Sequence, residues 1–183
     1  MNYKYLIAAS RAHLANYPGY EPARGLTTMF PAGARWMYDR LVELDEQNNR
    51  TDEQDNRPFD PAINYNLYGS LKYGVCVAGF LLSTGWFFKY APLFIPLSVL
   101  VFYLCEIQFL FLFPLLIDDS RQPILSGIRE VFKIGIFKCL CTVIPIAFFM
   151  MVGLFHKRGR YRNWYIGCLA ILIWYNDEVR TRI

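Results

Sequence analysis

One glutamate interrupts the longest apolar stretch of the chain. Glu106 is the eleventh of the 22 residues from Pro96 to Ile117, and no other charge lies among them. At about 1.5 Å per helical residue it falls near the middle of a hydrocarbon core about 30 Å thick. A carboxylate at that depth costs several kcal/mol unless it is protonated or paired, so it must face protein or water. Tyr103 lies one helical turn earlier on the same face and can hydrogen-bond to it. Thr142, at similar depth in the next apolar run, is a cross-helix partner of the right type. Such a group can handle protons or ions, or line a substrate pocket. It can equally stay protonated and hold its helix to a neighbour. No second charge sits deep enough in the apolar runs to complete a relay, which favours the structural role.

The remaining chemistry-bearing residues lie at the ends of apolar runs. Asp118 and Asp119 follow the second run directly. Paired aspartates can hold Mg²⁺ against a diphosphate. That chemistry needs a third aspartate and a second such motif, and the sequence has neither, so these residues read as helix-ending and solvated. His156, Lys157, Arg158, Arg160 and Arg162 form the one tight basic cluster. Beside apolar runs, such a cluster suits lipid headgroups better than nucleic acid. The five cysteines all lie beyond residue 70 and form no C-x-x-C pair. Cys139 and Cys141 point about 200° apart on a helix, which disfavours a shared metal. They read as small packing residues. Neither histidine has a nucleophile nearby in sequence, and no phosphate loop, dinucleotide fingerprint or zinc-protease motif is present. Nothing here calls for a cofactor or a metal.

These residues must be positioned by helices. Of 183 residues, 55% are hydrophobic, 17% aromatic and only 19% charged, and the net charge is +4. The distribution is uneven: residues 1–66 are polar and mixed in charge, and residues 67–183 are dominated by apolar runs. The first half reads as a polar N-terminal arm. It has a short helix near Tyr3–Leu14, a turn at Asn16-Tyr17-Pro18-Gly19, and irregular chain through Pro22, Gly25, Pro31 and Gly33. Apolar residues at helical spacing predict an amphipathic helix from Ala34 to about Gln47. The stretch 47–58 has no apolar periodicity and reads as an exposed loop.

The second half reads as a helical membrane domain. Leu67–Phe88 gives 22 residues, roughly 33 Å of helix, with Lys72 near its start able to snorkel to the interface. Trp86, Lys89 and Tyr90 mark the opposite interface. Only Lys89 and Tyr90 separate this run from the next, so the two form a tight antiparallel hairpin, with the second helix continuous from Pro96 to Ile117. Ser126 is a suitable N-cap for a helix through SGIREVFK. A third span is expected from Ile134 to Phe155, kinked at Pro145. Trp164–Tyr175 is only 12 residues, about 18 Å, and reads as a short membrane helix that lies at the interface, enters partway or crosses where the bilayer is thinned beside its neighbours.

The expected fold is therefore all-α: a polytopic helical membrane protein with a transmembrane hairpin, one further span, a short C-terminal membrane helix and a polar N-terminal arm. With all runs crossing, basic residues give a weak bias that puts the N-terminus on the cytoplasmic or matrix side. The function expected is that of a non-catalytic accessory or structural subunit, with membrane lipids and other membrane proteins, or copies of itself, as partners. The alternatives are a small lipid-modifying membrane enzyme and a transporter or channel component that uses Glu106.

Overall fold

The structure is a computed structural model that describes residues 2–16, 26–47, 58–155 and 160–182. The described residues are all-helical and contain no strand. The helices are α1 (Tyr3–Asn16), α2 (Leu26–Gln47), α3 (Tyr65–Tyr90), α4 (Leu97–Gln108), α5 (Leu112–Ile117), α6 (Pro123–Ile134), α7 (Ile136–Leu154) and α8 (Arg160–Glu178).

Local sequence accounts for most of the boundaries. The Asn64 side chain caps α3 by accepting from the Leu67 amide at 3.0 Å. Pro123 occupies the first turn of α6, where its missing N–H costs nothing. Helix α6 therefore starts three residues before Ser126, which lies inside the helix rather than at its cap. Gly135 separates α6 from α7 with φ near 100°, a conformation suited to glycine. Asp119 takes the left-handed position after α5 with φ 55°. Its own amide bonds the Leu116 carbonyl and the next amide, Ser120, bonds the Leu115 carbonyl, which closes the helix end in a Schellman arrangement.

Three elements differ from expectation. Helix α2 begins at Leu26 and runs through Pro31 and Gly33. Proline removes one backbone bond near the helix start, and burial of Ala34, Trp36, Leu41 and Leu44 outweighs that loss. The run expected as one helix from Pro96 to Ile117 is interrupted at residues 109–111. There the amides of Phe109, Leu110 and Leu112 bond carbonyls three residues back. Pro114 explains the break: it cannot donate to the Leu110 carbonyl and its ring would crowd it, so a new helix starts with Pro114 in its first turn. The short apolar run Trp164–Tyr175 is the middle of a 19-residue helix that extends into polar residues at both ends.

Helix α8 lies at the centre, packed by α7, α1 and α2. Its Leu169, Trp174 and Tyr175 are fully buried, in one core with Leu6 of α1, Leu41 of α2, Phe111 and Val143. The amphipathic face of the N-terminal region thus lies on the same core as the apolar half. A second cluster joins Ala34, Tyr65, Phe109 and Phe113, across which the rings of Phe59, Tyr65, Phe113 and Phe30 stack in series. A Cβ at Gly69 would overlap the Phe30 ring, so glycine is required for α2 to reach α3 there.

Among the described residues, three helical segments are long and apolar enough to cross a membrane: Tyr65–Tyr90, Leu97–Ile117 and Ile136–Gly153. Much of their surface points outward. Leu82 is 75% exposed and Leu93 at the hairpin turn 86%, and Phe88, Phe137, Phe148 and Phe155 are equally open. Exposed apolar surface of this kind marks a contact with membrane or with another protein.

Candidate functional site

Glu106 lies in the last turn of α4, directly before the helix break, and its carbonyl accepts the Phe109 amide at 3.0 Å. Helix α3 runs antiparallel to α4 and brings Lys72 opposite. Lys72 Nζ lies 3.9 Å from Glu106 Oε1, with the two side chains only 11% and 21% exposed. The ammonium also sits 5.5 Å from the centre of the Tyr73 ring, where the ring face favours a cation. Cys76 is buried one turn further along α3, and Gly79 leaves room for Cys105 Sγ.

This pairing overturns two expectations. Lys72 does not reach out along its helix to an interface, and Glu106 does have a second charge beside it. The cause is geometric: a tight hairpin sets the start of α3 against the end of α4, and each charge is less costly beside the other than alone. At 3.9 Å the pair is a long contact rather than a tight bidentate one.

The two partners expected for Glu106 are placed otherwise. Thr142 donates its hydroxyl to the Lys138 carbonyl of its own helix at 2.9 Å. Tyr103 packs against the main core and sets its ring edge-on to Phe102. Among the described residues neither hydroxyl bonds Glu106.

A second constellation, absent from the sequence reading, gathers at the C-terminal end of α8. Arg180 Nη1 donates to Asp45 of α2 at 2.5 Å, and its Nε lies 3.2 Å from Asp118 Oδ2. The Tyr175 hydroxyl donates to the same Asp118 oxygen at 2.6 Å. Burial and the adjoining Asp118 carboxylate push the Tyr175 phenol well above its usual range, so it remains a donor. Asp118, which sequence alone offers to a metal, is engaged by these two groups. Among the described residues no three His, Cys, Asp or Glu side chains converge as metal ligands.

Nearby, His13 Nε2 is 3.0 Å from Glu43 Oε2, and Arg40 Nη1 reaches the same oxygen at 2.7 Å. His13 borders an open depression of about 260 Å³ between α1, α2 and α8. Lys138 donates to both oxygens of Glu178 at 2.9 and 3.0 Å, joining α7 to the end of α8. Apart from Arg40–Glu43, which lies within α2, each contact joins residues far apart in sequence, from His13 and Glu43 to Arg180 and Asp45. Sequence reasoning missed them because each residue reads locally as a solvated charge, with no spacing that reveals its partner.

Of the basic cluster, His156, Lys157 and Arg158 lie outside the described residues, as does the Arg160 side chain. Arg162 is exposed near the start of α8. Of the loop expected at 47–58, Gln47 ends α2 and residues 48–57 lie outside the described residues. All five cysteines are free thiols, with Cys139 buried and Cys141 exposed on opposite sides of α7.

No protein-family model matches the chain, and no curated protein or solved structure matches it significantly.

Proposed function

We propose that this chain is a polytopic integral membrane protein that serves as a non-catalytic accessory or structural subunit, packing against partner membrane proteins or copies of itself. The observation that carries the reading is how its side chains are used. The charged groups between helices are engaged with one another: Lys72 with Glu106, Arg180 with Asp45 and Asp118, Lys138 with Glu178. The outward faces of α3, α4 and α7 are broad, apolar and rich in aromatics. A catalytic centre would hold such groups free toward a cleft. On α7 the outward residues Phe137, Cys141, Ile144, Phe148, Met151 and Phe155 recur every three or four positions, the spacing of a helix–helix seam.

A second reading rests on one observation. The Lys72–Glu106 pair lies between two candidate spans at a break in the second, a position where transporters and channels keep ion- or proton-handling carboxylates. In the lipid-enzyme reading Asp118 would have to leave Tyr175 and Arg180 before it could hold a metal, which counts against it.

Purification of the full chain from its native membrane in mild detergent separates these readings. A subunit copurifies with a partner at fixed stoichiometry, or as a defined homo-oligomer that is insensitive to Glu106→Gln. A homogeneous monomer would contradict it. Ion or proton flux in proteoliposomes that Glu106→Gln abolishes would favour the second reading.

A further inference from the structure

Helix α6 divides into two unlike faces. Pro123, Gly127, Glu130 and Val131 point inward, and Gly127 sits against the Leu115 side chain and the Gln108 carbonyl. The outward face falls within about 100° of the helix circumference and holds Leu125, Ile128, Arg129 and Phe132. Leu125 is 58% exposed and Phe132 61%. Arg121 just before the helix is exposed as well. The one acid of α6, Glu130, is turned into the protein and bonded by Lys133 at 2.6 Å, so the outward face of the helix carries cations and no anion.

We propose that this face lies on an anionic phospholipid leaflet as an interfacial helix. The inference rests on the membrane reading above and names the lipid charge that the surface meets. Large apolar side chains and arginines side by side suit the boundary between acyl chains and headgroups. The apolar groups enter the chains, and the guanidinium groups meet phosphate while their stems cover hydrocarbon. A water-facing helix would not expose Leu125 and Phe132, and a hydrocarbon-buried one would not carry Arg121 and Arg129. Phe137, at the start of the following helix, is open as well. The two arginines, which form no ion pair among the described residues, select negative lipid over zwitterionic lipid.

The test uses the full chain in nanodiscs made from equal amounts of phosphatidylcholine and phosphatidylglycerol. A benzophenone amino acid replaces Phe132, and separately Leu82 of α3, both exposed positions where the fold tolerates it. On irradiation the probe at 132 forms lipid adducts in which phosphatidylglycerol is in excess. The exposed double variant Arg121→Gln with Arg129→Gln loses that excess and returns to the bulk lipid ratio. Lipid adducts at 82 with none at 132, or adducts at 132 to a copurifying protein, overturn the α6 inference and leave the membrane reading standing. Absence of lipid adducts at both positions overturns both. An excess that survives in the double variant overturns the charge selection.

Discussion

Lys72 and Glu106 face each other across the α3–α4 hairpin, 3.9 Å from ammonium to carboxylate, at the point where the second long apolar segment breaks. Removing one member strands the other charge in largely apolar surroundings, whereas removing both leaves a larger apolar contact. Lys72→Met is therefore expected to cost about 2–3 kcal/mol, less than a fully buried pair because Glu106 is partly open. The double variant Lys72→Met with Glu106→Leu is expected to recover most of that loss. Thermal unfolding of the four proteins in one mild detergent gives the coupling, and additive losses would show that the contact is incidental.

Arg180 serves two carboxylates, one on α2 and one after α5. Arg180→Gln leaves Asp45 buried without its cation and is expected to cost about 2–4 kcal/mol. Arg180→Lys should restore only part of it, since one ammonium lacks the planar fork that spans two partners. Tyr175→Phe removes the second donor to Asp118 and is expected to cost about 1–2 kcal/mol. Equal stability of the lysine and arginine proteins would contradict the bridging role.

Two glycines make opposite demands. Gly135 has φ near 100° between α6 and α7, so Gly135→Ala is expected to destabilise by about 1–2 kcal/mol although open space surrounds it. Gly33 lies inside α2, also with open space, so Gly33→Ala is expected to stabilise by about 0.5–1 kcal/mol. Unfolding of both single variants checks the pair, and a loss at Gly33 would question the helix there.

Acid sensitivity is expected at the α7–α8 contact. Burial opposes the charge on Glu178, but hydrogen bonds to its carboxylate, that from the Lys138 ammonium foremost and that from Trp174 beside it, outweigh burial and hold the carboxyl down at about 2. The folded value lies below the ordinary 4.5, so this stabilisation is complete above about 4.5 and is lost as pH falls toward about 2. Lys138→Met should lower the melting temperature near neutral pH and flatten its decline in that acid window. An unchanged acid slope in the variant would contradict the pairing.

The legible part of this fold was its apolar periodicity. All three long apolar segments and the hairpin turn follow from composition and length. The Lys72–Glu106 pairing was also within reach: Lys72 stands 17 residues before Lys89 and Glu106 stands 16 after Tyr90, so a tight turn there sets them level. What hid it was assigning Lys72 to an interface from its place near the helix start. The break before α5 is signalled by Pro114, a local signal masked by the unbroken apolar run around it. The Arg180, Asp45 and Asp118 cluster carried no local signal, because it depends on how α2 and α8 pack, a tertiary matter. Helix α2 ran through Pro31 for the same reason, its buried face outweighing a local penalty.

The central claim, a chain embedded in the bilayer through its long apolar helices, is tested most directly by alkaline carbonate extraction of membranes from cells expressing the full chain. Carbonate strips proteins held by charge or by peripheral partners and leaves those seated in hydrocarbon. The account predicts that the wild-type chain stays in the membrane pellet. It also predicts that arginine at both Leu81 and Leu82, on the exposed face of α3, reduces that fraction, at a cost of about 2–3 kcal/mol per arginine near mid-helix. Release of the wild-type chain into the supernatant would contradict it.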